Sequence, residues 1–152
     1  MKRLSISVKA IVVATMACAA GLATAAGSTN LAVSATVNGV CKFSATSQPL
    51  AFGAIDPSLT SNVTTTAAVK YKCTNKTSSG GITGIAGPHN MTTTASDLLA
   101  YTLTIAGDTG AGTGFGTNGD LTATVTGTIT ALQYQGAVAG SYTDTVVLNI
   151  TP

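Results

Sequence analysis

Apolar and polar residues alternate at every second position in several segments of this 152-residue chain. The clearest run is "LTATVTGTITA", whose threonines at every second position face away from a set of small and apolar residues. That set is Leu121, Ala123, Val125, Gly127, Ile129 and Ala131. The same period occurs at 69–73, 99–105 and 142–150. A period of two puts alternate side chains on opposite faces of a strand, so the pattern predicts an all-β protein.

The first 26 residues have a different pattern. Lys2, Arg3 and Lys9 accompany the apolar run 10–23, and small residues follow it. These are the features of a secretory signal peptide, and the run is shorter than the roughly 20 residues of a membrane-spanning helix. A retained membrane anchor is the alternative interpretation. Removal of the segment near Ala26 leaves about 127 residues, which is enough for one domain with a core.

Turn-rich pieces separate the predicted strands at 56–62, 74–81, 87–90 and 107–120. Shorter strand candidates lie at 41–45, 50–52 and 81–86. No stretch after residue 26 has a sustained helical period. Many short strands in one exported domain indicate a β-sandwich, and the core strands number about six where an immunoglobulin-like sandwich has seven.

The charge of the chain changes once the first segment is set aside. Three of its seven cationic residues lie there, which leaves four lysines against five aspartates and a net charge of −1. Such a chain has no basic surface with which to hold nucleic acid. Charged residues make up only 8% of the sequence, and a nearly neutral surface favours association between copies.

Two cysteines, Cys41 and Cys73, remain after the first segment. An even pair in an exported chain predicts a disulfide. Cys41 is expected at the start of the first core strand and Cys73 at the end of the second. His89 is the only histidine, which is a poor basis for a metal site or for nucleophilic catalysis. We therefore expect no catalytic residue, metal or cofactor, no small-molecule substrate, and no enzyme activity.

The glycine-rich segment 107–120 resembles a dinucleotide-binding loop only superficially. A loop of that kind stands between a strand and a helix in a βαβ unit, and no helical pattern is present. We expect a mobile loop with Phe115 as almost its only apolar anchor. Asp144 is expected to have a surface role, with the capping or tying of a loop as the alternative.

Residues 31–37 form a further strand candidate, with apolar side chains on one face. Asn38-Gly39 follows, and this dipeptide favours a hairpin that folds 31–37 back on 41–45. We expect the strand to pair with another molecule instead, and the hairpin is the alternative. The final strand candidate, 142–150, lacks a sequence neighbour on one side, and such an exposed edge requires a cover. We therefore expect the strand that lacks a partner to cover the edge that lacks a neighbour.

Several short motifs, taken in order, resemble the spore coat protein U domain, which is shared with major subunits of archaic chaperone–usher pili of Gram-negative bacteria. The motifs are the alternating segment ending at a cysteine (31–41), Phe52-Gly53, Lys72-Cys73-Thr74, Ala100-Tyr101 and "GSYTD" at 140–144. Together they cover essentially the whole chain after the first segment.

The resemblance implies an incomplete immunoglobulin-like β-sandwich at 39–152, with about six core strands and without its last strand. A periplasmic chaperone would fill the gap first. An outer-membrane usher would then exchange the chaperone for residues 27–38 of the next subunit, which is donor-strand complementation. The inserted side chains would be Leu31, Val33, Ala35 and Val37. The edge strand of the accepting groove would carry Tyr142, Val146, Leu148 and Ile150.

The functional hypothesis is a structural subunit of a surface pilus that supports adhesion and biofilm formation. Its partners would be copies of itself, the chaperone and the usher, and its location would be the cell surface or the extracellular pilus. Two alternatives stay open. One is a spore or cell-surface coat protein of the same fold, and the other is a secreted monomeric β-sandwich that binds a carbohydrate or small ligand.

Overall fold

A computed structural model describes residues 27–152 of the chain. The chain divides into two units, one ending at Ala35 and the other running from Thr36 to Pro152. In the first unit the described residues, 27–35, form no helix or strand and are exposed. The expected signal peptide, residues 1–26, lies outside the described residues. Across 27–152 no helix is long and apolar enough to cross a bilayer.

The second unit is built almost entirely from β-structure. Its elements are β1 (Cys41–Phe43), β2 (Val63–Cys73), β3 (Ile82–Thr83), β4 (His89–Thr92), β5 (Leu98–Ala106), β6 (Leu121–Ile129), the one-turn helix α1 (Ala131–Gln135) and β7 (Asn149–Ile150). Five strands form an antiparallel sheet in the order β1-β2-β6-β5-β4, and β3 pairs with β7.

The two faces of the five-stranded sheet account for the abundance of threonine. On the outer face Thr64 lies opposite Thr128 and Thr66 opposite Thr126. Threonine suits these positions because its branched side chain packs on a pleated surface while its hydroxyl faces water. The inner face carries the apolar half of each alternating run, as the period predicts.

A second, less regular layer packs on the inner face of the sheet. It consists of the extended segment 48–55, strand β3 with the residues after it, and the chain from 140 to 150. One buried cluster forms where β3 and β7 cover β1, β2 and β6, around Tyr71 and Val69. Another forms between β5, β6 and α1, around Tyr101 and Ile129. The predicted fold class, an incomplete β-sandwich, is confirmed.

Four predictions about local structure are wrong. Residues 50–52 are extended but form no strand, and of 142–150 only β7 and an isolated bridge at Thr143 have strand pairing. The expected turn 87–90 includes the start of β4. Ala131 begins α1, whose start is favoured because the Thr130 backbone N–H donates to Gln133 Oε1 at 3.0 Å.

The glycine-rich segment 107–120 forms a loop, as expected, and this loop is hydrogen-bonded to the chain after β2. The Lys76 N–H donates to the Gly112 carbonyl at 2.8 Å, and the Gly114 N–H donates to the Cys73 carbonyl at 3.0 Å. A Cβ added at Gly112 would lie 2.3 Å from the Cys73 carbonyl oxygen. Glycine is needed here because the backbone of the segment lies directly against the chain after β2.

The predicted disulfide is confirmed. Cys41 begins β1, Cys73 ends β2, and the two residues are direct cross-strand partners with their Cα atoms 4.1 Å apart. The bond closes a loop between residues 32 positions apart. It attaches the three-residue strand β1 to the longest strand of the sheet.

We predict that neither Cys41 nor Cys73 reacts with a thiol label in the denatured, unreduced exported chain, and that both react after reduction. Replacement of both by serine should lower the free energy of unfolding by about 3–4 kcal/mol, because the unfolded chain regains the entropy of the open loop. Mass spectrometry of the labelled chain and urea denaturation measure these effects. Two labels without reduction would contradict the structure.

Candidate functional site

A groove of about 860 Å³ lies on the inner face of the sheet. We call the segment 48–55 its first wall and the segment 140–148 its second wall. The floor is apolar and comes from four strands of the sheet, with Tyr134 of α1 and residues 137–139 also lining the groove. The principal floor residues are Val69, Leu99, Leu103, Val125 and Ile129.

The backbone along both walls lacks the pairing that a complete layer would have. Outside the strand ladders of the described chain, residues 48–55 and 145–148 make no backbone–backbone hydrogen bond. The residues of both walls are exposed or half-buried, so their backbone groups are accessible to another strand. The groove therefore combines an apolar floor with two extended edges that are able to pair with an added strand.

The first wall is held against the sheet by β6 and β2. Gly127 lies in the middle of β6, and a Cβ there would be 2.7 Å from Leu50 Cδ2 and from Phe52 Cζ. The absence of a side chain at this position lets the wall approach the floor closely. The Thr65 hydroxyl also donates to the Ala51 carbonyl at 2.9 Å.

The second wall is fixed at both of its ends. Near its start, the backbone N–H groups of Thr92 and Thr143 each donate to the other residue's carbonyl, at 2.9 and 3.0 Å. After its end, β7 pairs with β3. The Tyr142 hydroxyl donates to the Val138 carbonyl four residues earlier at 2.8 Å. The stretch 145–148 is thus held at its ends, while outside the strand ladders its backbone bonds to no other backbone group of the described chain.

Among the described residues that line the groove, Asp144 is the only charged one. Its Oδ2 accepts a hydrogen bond from the Tyr101 hydroxyl at 2.7 Å, and its Oδ1 accepts one from the Thr145 N–H, also at 2.7 Å. Burial raises the pKa of Tyr101 well above its usual range, and the bond to Asp144 raises it further. The hydroxyl therefore keeps its proton at physiological pH and remains a donor to the carboxylate.

The residues expected at the groove edge are partly in place. Tyr142, Val146 and Leu148 line the groove. Ile150 does not, because it pairs with Ile82 in the small sheet and packs against the core there. The disulfide also lies outside the groove. The assignment of the other three residues as an accepting edge stays a prediction.

The residues expected to insert into a neighbouring subunit are exposed. Leu31 and Val33, in the first unit, are 85% and 83% exposed, and Val37, in the second unit, is 83% exposed. Ala35 is exposed as well. Isolated exposed apolar residues are common in folded proteins, but an alternating row of them on uncovered chain indicates a surface that associates.

The chain before β1 does not form the hairpin that Asn38-Gly39 favoured. Residues 27–40 belong to no strand, and β1 pairs with β2 instead. Thr74, just after β2, holds this junction. Its hydroxyl accepts from the Val40 N–H at 3.1 Å and donates to the Asn38 carbonyl at 3.1 Å. Its own N–H donates to the Val40 carbonyl at 2.9 Å.

Sequence reasoning missed two residues that shape the groove. Asp144 is exposed, as expected, but its carboxylate also accepts a hydrogen bond from the hydroxyl of the buried Tyr101, which the sequence did not indicate. Gly127 was noted only as part of an alternating face. The one signal that could have found it is that a glycine interrupts a row of larger apolar residues, which often marks a close backbone approach. Among residues 27–152 no cluster of three potential metal ligands occurs.

Comparison with known proteins gives one match. The family model described as the Spore Coat Protein U domain matches residues 28–149. This range includes both walls of the groove, the disulfide and the exposed alternating segment. No curated protein and no solved structure matches the chain.

We predict that Gly127→Ala lowers the free energy of unfolding by about 1–3 kcal/mol, because the added methyl group must displace the Leu50 and Phe52 side chains. Gly136→Ala is the matched control. Gly136 follows α1 with an ordinary negative φ of −97°, and a Cβ there meets nothing within 4 Å. Urea denaturation compares the two variants. Equal stabilities would show that the first wall does not depend on Gly127.

Proposed function

We infer the function from one established premise, which is that the chain belongs to the spore coat protein U domain family. We propose that it is the structural subunit of a surface pilus and polymerises by donor-strand complementation. Residues 28–37 of one copy would lie in the groove of another copy, between the two walls. The observation that carries the proposal is that an apolar floor lies between two extended edges whose backbone groups have no strand partner.

The groove supports this occupant better than it supports a compact ligand. A strand between the walls would cover the apolar floor with alternate side chains and pair its N–H and C=O groups with both edges. Each net backbone hydrogen bond contributes about 0.5–1.5 kcal/mol. A small molecule would leave most of these backbone groups unpaired. An added strand therefore matches both the shape and the hydrogen-bonding requirement of the site.

The N-terminal segment has the chemistry that such a strand requires. The sequence "STNLAVSATV" at 28–37 contains no charge, no proline and no glycine. Every residue can therefore donate and accept along a strand, and no charge has to enter an apolar groove. Leu31, Val33 and Val37 would pass from water to the floor, and full burial of such a side chain contributes about 1.5–3 kcal/mol.

The remaining parts of the proposal follow from the family. A subunit with an open groove and an exposed alternating segment would aggregate during export, so a periplasmic chaperone would cover it and an outer-membrane usher would direct the exchange. The resulting polymer would support adhesion and biofilm formation. Electron microscopy of producing cells distinguishes thin filaments, which the proposal requires, from the continuous layer of a coat protein.

We predict that Val33→Asp prevents polymerisation of the mature chain. A carboxylate on the apolar floor would have no partner, which costs several kcal/mol or forces its protonation. Ser34→Asp is the matched control, since it places the same charge on the opposite face of the same strand. Ladders of species that resist mild denaturant should form with rising concentration for the native chain and Ser34→Asp. Equal ladders for Val33→Asp would contradict the proposal.

We further predict that deletion of residues 28–37 leaves a folded chain that does not form fibres. A synthetic peptide of residues 28–38 should raise the thermal midpoint of the deleted chain in a concentration-dependent manner, because it binds the folded state alone. A peptide with Asp at position 33 serves as the control and should have little effect. Fibres formed by the deleted chain would show that the segment is not the donor.

A further inference from the structure

Tyr101 contacts both walls of the groove from the floor between them. Its ring meets the ring of Phe52, in the first wall, edge to face with the centroids 6.0 Å apart. Its hydroxyl donates to Asp144 Oδ2, in the second wall, at 2.7 Å. One side chain of β5 thus connects the two segments between which the proposed strand would lie.

The position of the Tyr101 ring is tightly constrained. The side chain is only 5% exposed. His89 lies directly opposite on β4 with its ring centroid 5.3 Å from that of Tyr101, and His89 Nε2 is 2.9 Å from the Ile85 carbonyl oxygen. With Phe52 also against the ring, its rotation would disturb several packed neighbours. The Tyr101 side chain therefore has one well-defined position from which it contacts both walls.

Asp144 connects the Tyr101 hydroxyl to the backbone of the second wall. While Oδ2 accepts from Tyr101, Oδ1 accepts from the N–H of Thr145, which is the residue just before the unpaired stretch 146–148. Hydrogen bonds to a carboxylate are shorter and stronger than those between neutral groups. The backbone at the start of the edge is thus tied to the floor through two such bonds.

We propose that Tyr101 is a positioning residue for strand capture, which sets the separation of the walls through Phe52 and Asp144. The inference rests on the proposed function. A strand that pairs on both sides needs neighbours about 4.7–4.9 Å away on each side, so the walls must be held roughly 9.4–9.8 Å apart. Backbone N–H···O distances have a range of only about 0.5 Å, so a small shift of one wall would break pairing along it.

The test uses the full mature chain with Val33→Asp, which the proposed function makes able to accept a strand but unable to donate one. A fluorescent peptide of residues 28–38 is titrated onto this chain and onto the same chain carrying Tyr101→Phe. The phenylalanine keeps the ring and removes the hydroxyl. We expect the peptide to bind at least about tenfold more weakly, which corresponds to the loss of one hydrogen bond to a charged group.

Tyr71→Phe in the same background is the matched control. Tyr71 is also buried on the inner face, and its hydroxyl donates to the Gly107 carbonyl at 3.1 Å and accepts from the Gly110 N–H at 3.0 Å. It does not line the groove. Removal of the Tyr71 hydroxyl should lower the free energy of unfolding measured by urea denaturation. It should change the affinity for the peptide by no more than about twofold, because Tyr71 lies outside the groove that binds the peptide.

Substitution of Asp144 provides a rescue test. Asp144→Asn keeps an acceptor oxygen for the Tyr101 hydroxyl, so its peptide affinity should lie between those of the native residue and Asp144→Ala. Adding Tyr101→Phe to Asp144→Ala should cause no further loss, because the two residues act through one bond. Additive losses would show that they act separately and would overturn the proposed role.

The remaining outcomes separate the two proposals. If the chain carrying only Val33→Asp fails to bind the peptide, the proposed function is overturned and the role of Tyr101 with it. If that chain binds the peptide but Tyr101→Phe binds it equally well, or Tyr71→Phe weakens binding as much, the positioning role is overturned while the proposed function stands.

Discussion

The inner face of the sheet is covered by two extended segments that stand apart, and outside the strand ladders the backbone groups of 48–55 and 145–148 have no backbone partner within the described chain. An apolar floor and unpaired edges both favour the addition of one more strand, the first through burial and the second through hydrogen bonding. Other parts of the unit fix the positions of the two walls. The missing side chain at Gly127 lets the first wall approach the sheet, and β7 and the Thr92–Thr143 bridge hold the second wall at its ends. Tyr101 contacts both walls.

The one charged residue among the described residues that line the groove is Asp144, and it has two hydrogen-bond donors. The Asp144 carboxylate accepts through both oxygens, one bond from the Tyr101 hydroxyl and one from the Thr145 N–H. The first bond joins two of the short motifs by which the chain resembles its family, Ala100-Tyr101 and "GSYTD". The motifs are far apart in sequence, but in the structure they form one contact across the groove.

The junction between the N-terminal segment and the sandwich is reinforced at one place. Thr74 hydrogen-bonds residues 38 and 40, and the disulfide attaches Cys41 to the end of β2. In a polymer of the proposed kind, a pull on residues 28–37 reaches the domain at this point. The covalent bond passes that force to the longest strand of the sheet, so it does not have to be carried by the three-residue pairing of β1 alone.

The alternation of apolar residues determined much of this protein by itself. It predicted the inner faces of β2, β5 and β6 correctly, because alternate side chains of a strand point to opposite faces and the apolar set must face the core. The cysteine pair likewise indicated the disulfide. The alternation at 31–37 and 142–148 predicted strands, but a strand also requires a hydrogen-bonding partner, which local sequence does not specify. Only the tertiary structure decided that Thr143 pairs with Thr92 while 145–148 leaves an edge open, because the possible partners lie on distant segments. The same holds for Tyr101 and Asp144, which are 43 residues apart, and for Gly127, whose missing side chain matters only because Leu50 and Phe52 fold onto it.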